Sequence, residues 1–156
     1  MGGAEMKRAH VLVVDDEQSV REVLAELLTQ RGCVVTSVES GADALDVLDV
    51  VRPDLVLLDI WMPEVNGIET LQAIVARHPA LPVVMVTGND DREVTALALR
   101  MGACDYIPKP LELRYLDEVL MVQLAGAGDV PPSFLDLGAA DAMLDVDLEA
   151  YAAVRV

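Results

Sequence analysis

The chain is short of aromatic residues: one tryptophan, one phenylalanine and three tyrosines in 156 residues. Basic residues are also few, 11 against 27 acidic, which leaves a formal net charge of −16. Such a surface repels phosphate backbones and anionic membranes, so no direct nucleic-acid or membrane partner is expected. There are two cysteines, Cys33 and Cys104, far apart and outside any CxxC. That argues against a disulfide or a thiolate metal site and predicts two buried thiols in a reducing compartment. No apolar run reaches the ~20 residues of a membrane span, and "MGGAEMKRAH" has no signal-peptide core. A cytoplasmic location follows as the expectation. Neither a glycine-rich phosphate loop nor a P-loop follows the first strand, where "VVDDEQSV" would repel pyrophosphate. No Ser-His-Asp or Cys-His pattern stands out, and His10 and His78 lie at the ends of regular elements rather than in a ligand cluster.

What the chain does have is an alternation of two periods. Apolar runs rich in β-branched residues at 10–15, 33–38, 54–59, 82–87 and 105–108 read as strands. Between and after them, apolar residues recur at helical spacing. Residues 17–31 carry Val20, Val23, Leu24, Leu27 and Leu28. Ser40 caps a helix to about Val51. Further helices are predicted at 67–77, 91–101 and 111–124. Five β-α units imply an α/β fold, a doubly wound parallel sheet of flavodoxin-like order 2-1-3-4-5. Pro108 in the fifth strand suits the edge position this order gives it.

Residues 8–124 form one predicted domain. Beyond it, "AGAGDVPPS" reads as a linker. The remainder of 125–156 is acidic, with Leu137, Ala140, Leu144, Leu148 and Tyr151 spaced for one amphipathic helix. It is expected to serve as a loosely docked tail or as a helix for a dimer or another partner.

In such a sheet, functional groups gather beyond the carboxyl ends of the strands. There the sequence places Asp15-Asp16 after strand one, Asp59 at the end of strand three, Thr87 at the end of strand four and Lys109 after strand five. An Asp after a strand often only caps a helix, and each of these residues alone is weak. Together they make a set. Three clustered carboxylates repel one another, and a hard divalent cation relieves that. Mg²⁺ accepts one or two carboxylates with waters and phosphate oxygens; Mn²⁺ is a permitted substitute. With such a cation bound, Asp59 can attack a phosphoryl group, Lys109 can neutralise charge on it, and the Thr87 hydroxyl can donate to it.

The runs "VLVVDDE" (11–17), "LVLLDIWMPEVNG" (55–67), "VVMVTG" (83–88) and "DYIPKP" (105–110) resemble the receiver domain of bacterial two-component response regulators. The resemblance covers about residues 8–124. It implies that Asp59 is the phosphoacceptor for a sensor histidine kinase or a histidine phosphotransfer protein. It implies Mg²⁺ held by Asp15, Asp16, Asp59 and the Trp61 backbone carbonyl, with Asp15 acting through water. Thr87 and Lys109 would bind phosphoryl oxygens. Thr87 and Tyr106 would form the switch that changes the α4-β5-α5 surface. Lys109-Pro110 would be a cis peptide, Asn66-Gly67 a turn, and Trp61 and Asn89 would tune loss of the phosphoryl group. The resemblance implies a signalling protein rather than an enzyme acting on external substrate. A haloacid-dehalogenase-type phosphatase would need an acid where Trp61 stands. The other open reading is a receiver-like interaction module that works without phosphorylation. With no basic helix-turn-helix after residue 124, the output is expected to lie with a downstream protein partner or a missing output domain.

Overall fold

The computed structural model describes residues 8–62, 67–88 and 92–125. The calls on the tail beyond Ala125, on Asn66 and on Asn89 lie outside the described residues. The strands are β1 (His10–Val14), β2 (Val34–Val38), β3 (Leu55–Asp59), β4 (Val83–Thr87) and β5 (Asp105–Pro108). The helices are α1 (Gln18–Gln30), α2 (Gly41–Val51), α3 (Gly67–Arg77), α4 (Arg92–Arg100) and α5 (Leu113–Leu124). All strand pairs are parallel, in the order β2-β1-β3-β4-β5.

Side chains alternate across each strand, so one apolar run serves both faces. Val11, Val13, Leu55, Leu57, Val84 and Val86 face α1 and α5, packing with Leu24, Leu28, Leu116 and Leu120. Leu12, Val14, Val56, Leu58 and Met85 face α2, α3 and α4, packing with Ala44, Leu48, Leu71, Ile74 and Ala98. This is why β1, β3 and β4 are near-continuous apolar runs: a parallel sheet covered on both sides has no solvent face.

Element ends follow local chemistry. The Ser40 side chain accepts the Asp43 amide at 3.1 Å and so caps α2; such a cap is worth about 1 kcal/mol. Helix α1 ends at Gln30, with Arg31 as C-cap and Gly32 at φ 83. That left-handed turn delays the next strand to Val34, leaving Cys33 outside it. Helix α5 begins at Leu113, two residues later than the spacing suggests. Pro108 has no amide hydrogen to give. The Lys109 amide, one residue on, donates to the Thr87 carbonyl at 2.7 Å.

Two expectations need correction. Cys33 is buried, but Cys104 is half-buried rather than enclosed; burial pushes the Cys33 thiol up to about 11. Val23, Leu97 and Leu113, all on predicted apolar stripes, are exposed. A helical stripe is wider than the strip of sheet each helix covers, so its margin stays wet. Among the described residues, no helix is long and apolar enough to cross a membrane.

One contact was invisible in the sequence. Arg31, at the end of α1, makes a paired ionic contact with Asp117 of α5. Its Nε donates to Asp117 Oδ1 and its Nη2 to Oδ2, the second at 3.2 Å. Nη1 donates to the Leu27 carbonyl at 2.9 Å. Both side chains are buried. Removing one partner of such a pair strands a charge away from water. Arg31→Ala is expected to lower stability by about 3–5 kcal/mol, read from a urea titration. The double change Arg31→Met with Asp117→Leu should recover most of that loss. Equal losses in the single and double variants would contradict this account.

Candidate functional site

The carboxyl ends of β1, β3, β4 and β5 meet at one edge of the sheet. Asp15 follows β1, and its amide extends the ladder by donating to the Val38 carbonyl at 3.2 Å. Its carboxylate is 1% exposed and fully engaged. Oδ1 accepts the Glu17 amide at 2.9 Å, and Oδ2 accepts Lys109 Nζ at 2.8 Å. The Asp15 carbonyl accepts Arg21 Nη1, also at 2.8 Å.

Asp59 closes β3 and is 3% exposed. Its Oδ1 accepts the Trp61 amide at 3.3 Å and lies 3.6 Å from Lys109 Nζ. Glu17 Oε1 reaches the same ammonium at 4.0 Å. A single cation is thus shared by three carboxylates. Thr87 is buried at the end of β4, and its carbonyl holds the Lys109 amide. Gly88 lies so close that an added Cβ would meet Lys109 Cβ at 3.4 Å. The Lys109–Pro110 peptide is cis.

The surroundings set the charge states. Burial pushes the Asp59 carboxyl up from 3.8 to about 6, and the neighbouring Asp15 charge adds to this. Lys109 and the Trp61 amide oppose the shift. For Lys109, burial works to lower the pKa, but the Asp15 hydrogen bond and the charges of Asp59, Asp15 and Glu17 outweigh it, and the net direction is upward. Burial also raises the Tyr106 phenol, with Asp105 and Tyr115 adding to it.

A metal ion would find oxygen donors only. Ligand atoms of Asp15, Asp16 and Glu17 lie within 4.8 Å of one another, with Asp16 and Glu17 exposed. An all-carboxylate set of this kind fits a hard divalent cation such as Mg²⁺. Asp59 stands outside that trio and joins it through the Lys109 ammonium.

The structure therefore brings Asp15, Asp59 and Lys109 into direct contact and sets Asp16 beside them. Trp61 is half-exposed next to Asp59. Tyr106 sits on β5, opposite Met85 in the β4 register, and packs partly on the α2-α3-α4 face.

Three residues were missed. Glu17 sat inside the quoted "VLVVDDE" run, but only the fold shows its reach to Lys109. Arg21 lies six residues from the carbonyl it binds, a spacing with no sequence signature. Gly67 was read as a turn residue. It opens α3 directly beneath Asp59, where an added Cβ would come within 2.2 Å of the Asp59 carbonyl oxygen.

In the metal-free protein, a folded pKa above the ordinary value means that Asp59 favours folding when protonated. That contribution is full below about pH 4 and is lost as pH rises through 6. Asp59→Asn should therefore match the wild type in stability near pH 4. Without metal it should exceed the wild type by roughly 2–3 kcal/mol at pH 7.5. Urea melts in a chelator at both pH values check this. A gap that does not grow with pH would refute it.

Comparison with known proteins agrees with this architecture. The family model of the response regulator receiver domain matches residues 11–121. The DNA-binding transcriptional regulator NtrC of Klebsiella pneumoniae is 42% identical over 108 residues, covering 69% of this chain. The chain spans 23% of that relative's length. A protein-glutamate methylesterase/protein-glutamine glutaminase of Pyrococcus abyssi is 34% identical over 140 residues, covering 84% of this chain and 38% of its own length. Among solved structures, the receiver domain of NtrX from Brucella abortus superimposes with a TM-score of 0.71 at 36% identity. That match covers 74% of this chain and 98% of the other. A CheY-like receiver domain protein from Methanospirillum hungatei gives a TM-score of 0.73 at 28% identity, covering 76% and 95%. With the strand order, the acidic edge and a family match over most of its length, the chain belongs to the response regulator receiver domains of two-component systems.

Proposed function

We propose that this chain is a phosphorylation switch whose acceptor is Asp59. The observation that carries the reading is the Lys109 ammonium, 2.8 Å from Asp15 and 3.6 Å from Asp59. It offers a buried cation beside a buried carboxylate. In the proposed step, an Asp59 oxygen bonds to phosphorus. The P–N bond of a phosphohistidine on a sensor kinase or phosphotransfer protein breaks, and its electron pair stays on the imidazole nitrogen. Lys109 balances charge on the phosphoryl oxygens, and the Thr87 hydroxyl donates to one of them. Asp15, Asp16 and Asp59, with the Trp61 backbone carbonyl, would hold Mg²⁺, which supplies further charge neutralisation when bound.

The product is an acyl phosphate on the chain itself, so the protein works as a phosphoacceptor rather than on an external substrate. Thr87 moving toward the new charge and Tyr106 turning inward would then repack the face made by α4, β5 and α5. A downstream protein, or an output domain, for which the greater length of NtrC and of the methylesterase leaves room, would read that face. In this reading residues 8–124 are the switch and 125–156 an accessory tail.

Intact mass after incubation with Mg²⁺ and acetyl phosphate tests the acceptor. The wild type should gain one phosphoryl group, and Asp59→Asn and chelated samples none. If the wild type stays unmodified with both acetyl phosphate and a phosphorylated phosphotransfer protein, a phosphorylation-independent module becomes the better reading. The half-exposed indole of Trp61 beside Asp59 should screen the acyl phosphate from water. Trp61→Ala is expected to shorten its lifetime on the order of threefold. An unchanged decay rate would remove Trp61 from the mechanism.

A further inference from the structure

The acidic loop between β1 and α1 is held from four directions, and one of the holding groups is a positive charge that coordination alone does not call for. The Asp15 amide is fixed by Val38, its carboxylate by Glu17 and Lys109, and its carbonyl by Arg21. Arg21 stands on the first turns of α1, and its own amide donates to the Glu17 carbonyl at 3.1 Å. That amide bond is the ordinary first turn of α1; what Arg21 itself adds is the guanidinium, which reaches back to the Asp15 carbonyl at 2.8 Å. Between those two points lies Asp16, whose carboxylate is exposed beside those of Asp15 and Glu17.

The geometry points to Arg21 as a positioning residue for divalent-cation binding: its bond to the Asp15 carbonyl holds the loop so that the adjacent Asp15 and Asp16 carboxylates are placed for one ion. This rests on the cofactor reading given above. Without the bond, the exposed Asp16 carboxylate would relax away from that of Asp15, which Lys109 and the Glu17 amide still hold, and a cation would have to gather the two again. Two physical effects of Arg21 oppose each other. As a positive charge near a cation site, it weakens binding by direct repulsion. As a clamp, it strengthens binding by pre-ordering the donors. The inference is that the clamp wins.

The opposition makes the test sharp. Arg21→Met keeps the apolar stem and helix propensity but removes both the charge and the donor. Arg21→Lys keeps a charge and one donor. Mg²⁺ affinity can be titrated on the full chain by the fluorescence of Trp61, the single tryptophan, two residues after Asp59, with calorimetry as a second readout. Arg21→Met should bind Mg²⁺ about tenfold more weakly, although it has lost a positive charge, and Arg21→Lys should recover most of that. Amide exchange at Asp16 and Glu17 in the metal-free protein should accelerate in Arg21→Met and not in Arg21→Lys.

If Arg21→Met binds Mg²⁺ as tightly as the wild type or more tightly, the clamp is overturned and Arg21 is only a charge near the site. A lower melting temperature with unchanged affinity also overturns it, leaving a structural role. If the wild type itself binds no Mg²⁺, the cofactor reading fails first. Exchange at Asp16 and Glu17 then shows separately whether Arg21 orders the loop, and unchanged exchange removes the clamp as well.

Discussion

Everything at the candidate site depends on one ammonium group held among acids. Lys109 Nζ stands between Asp15, Asp59 and Glu17. Without it, two carboxylates nearly closed to solvent would face each other uncompensated, and at least one would take up a proton. With it, the Asp59 carboxyl still titrates near 6 rather than near 4. Burial is the main cause and the Asp15 charge the second, so an ionised Asp59 is under-compensated in the metal-free site. That deficit favours an additional cation, and it gives the cluster a reason to answer to the charge of anything that arrives.

The fold supplies this arrangement at low cost because a parallel sheet collects its strand ends on one side. The apolar runs of β1 and β3 lead to Asp15 and Asp59 at the same level, and that of β4 to Thr87 one residue further on, so burial of the runs places the polar groups. The helices contribute differently. The Arg31–Asp117 pair ties α1, which begins beside the acidic loop, to α5, part of the face proposed to be read by a partner. Elsewhere these two helices meet through apolar contacts, which tolerate sliding; a two-pronged ionic contact fixes their relative register.

Much of this was legible in the sequence, and the reasons for the rest are physical. Strand order followed from five β-α periods and from Pro108 at an edge. Asp15, Asp59 and Lys109 could be brought together because strand ends are countable and the topology sets their neighbours. What could not be read was side-chain reach. Glu17, Arg21 and the Arg31–Asp117 pair depend on where a long side chain points once the backbone has turned, and helical or strand spacing does not encode that. The outer limits of burial were hidden likewise. Val23, Leu97 and Leu113 have the right period, yet lie at the margins of their helices' contact with the sheet. Gly67 was visible as a glycine, but its close approach to Asp59 was not.

The ladder bond just past Pro108 has a mechanical meaning. With Thr87 paired to Pro108, the next rung of the parallel ladder is the Lys109 amide, which donates to the Thr87 carbonyl, while the proline nitrogen faces the open edge where no donor is needed. The two strand ends carrying the hydroxyl and the ammonium are thus strapped together through their backbones. In kinematic terms they share a single degree of freedom: whatever draws the end of β4 toward the acidic pocket must drag the base of the lysine with it. In the proposed switch, a pull felt by the Thr87 side chain would reach β5, and from there Tyr106, as displacement of a strut rather than as a sequence of separate rearrangements.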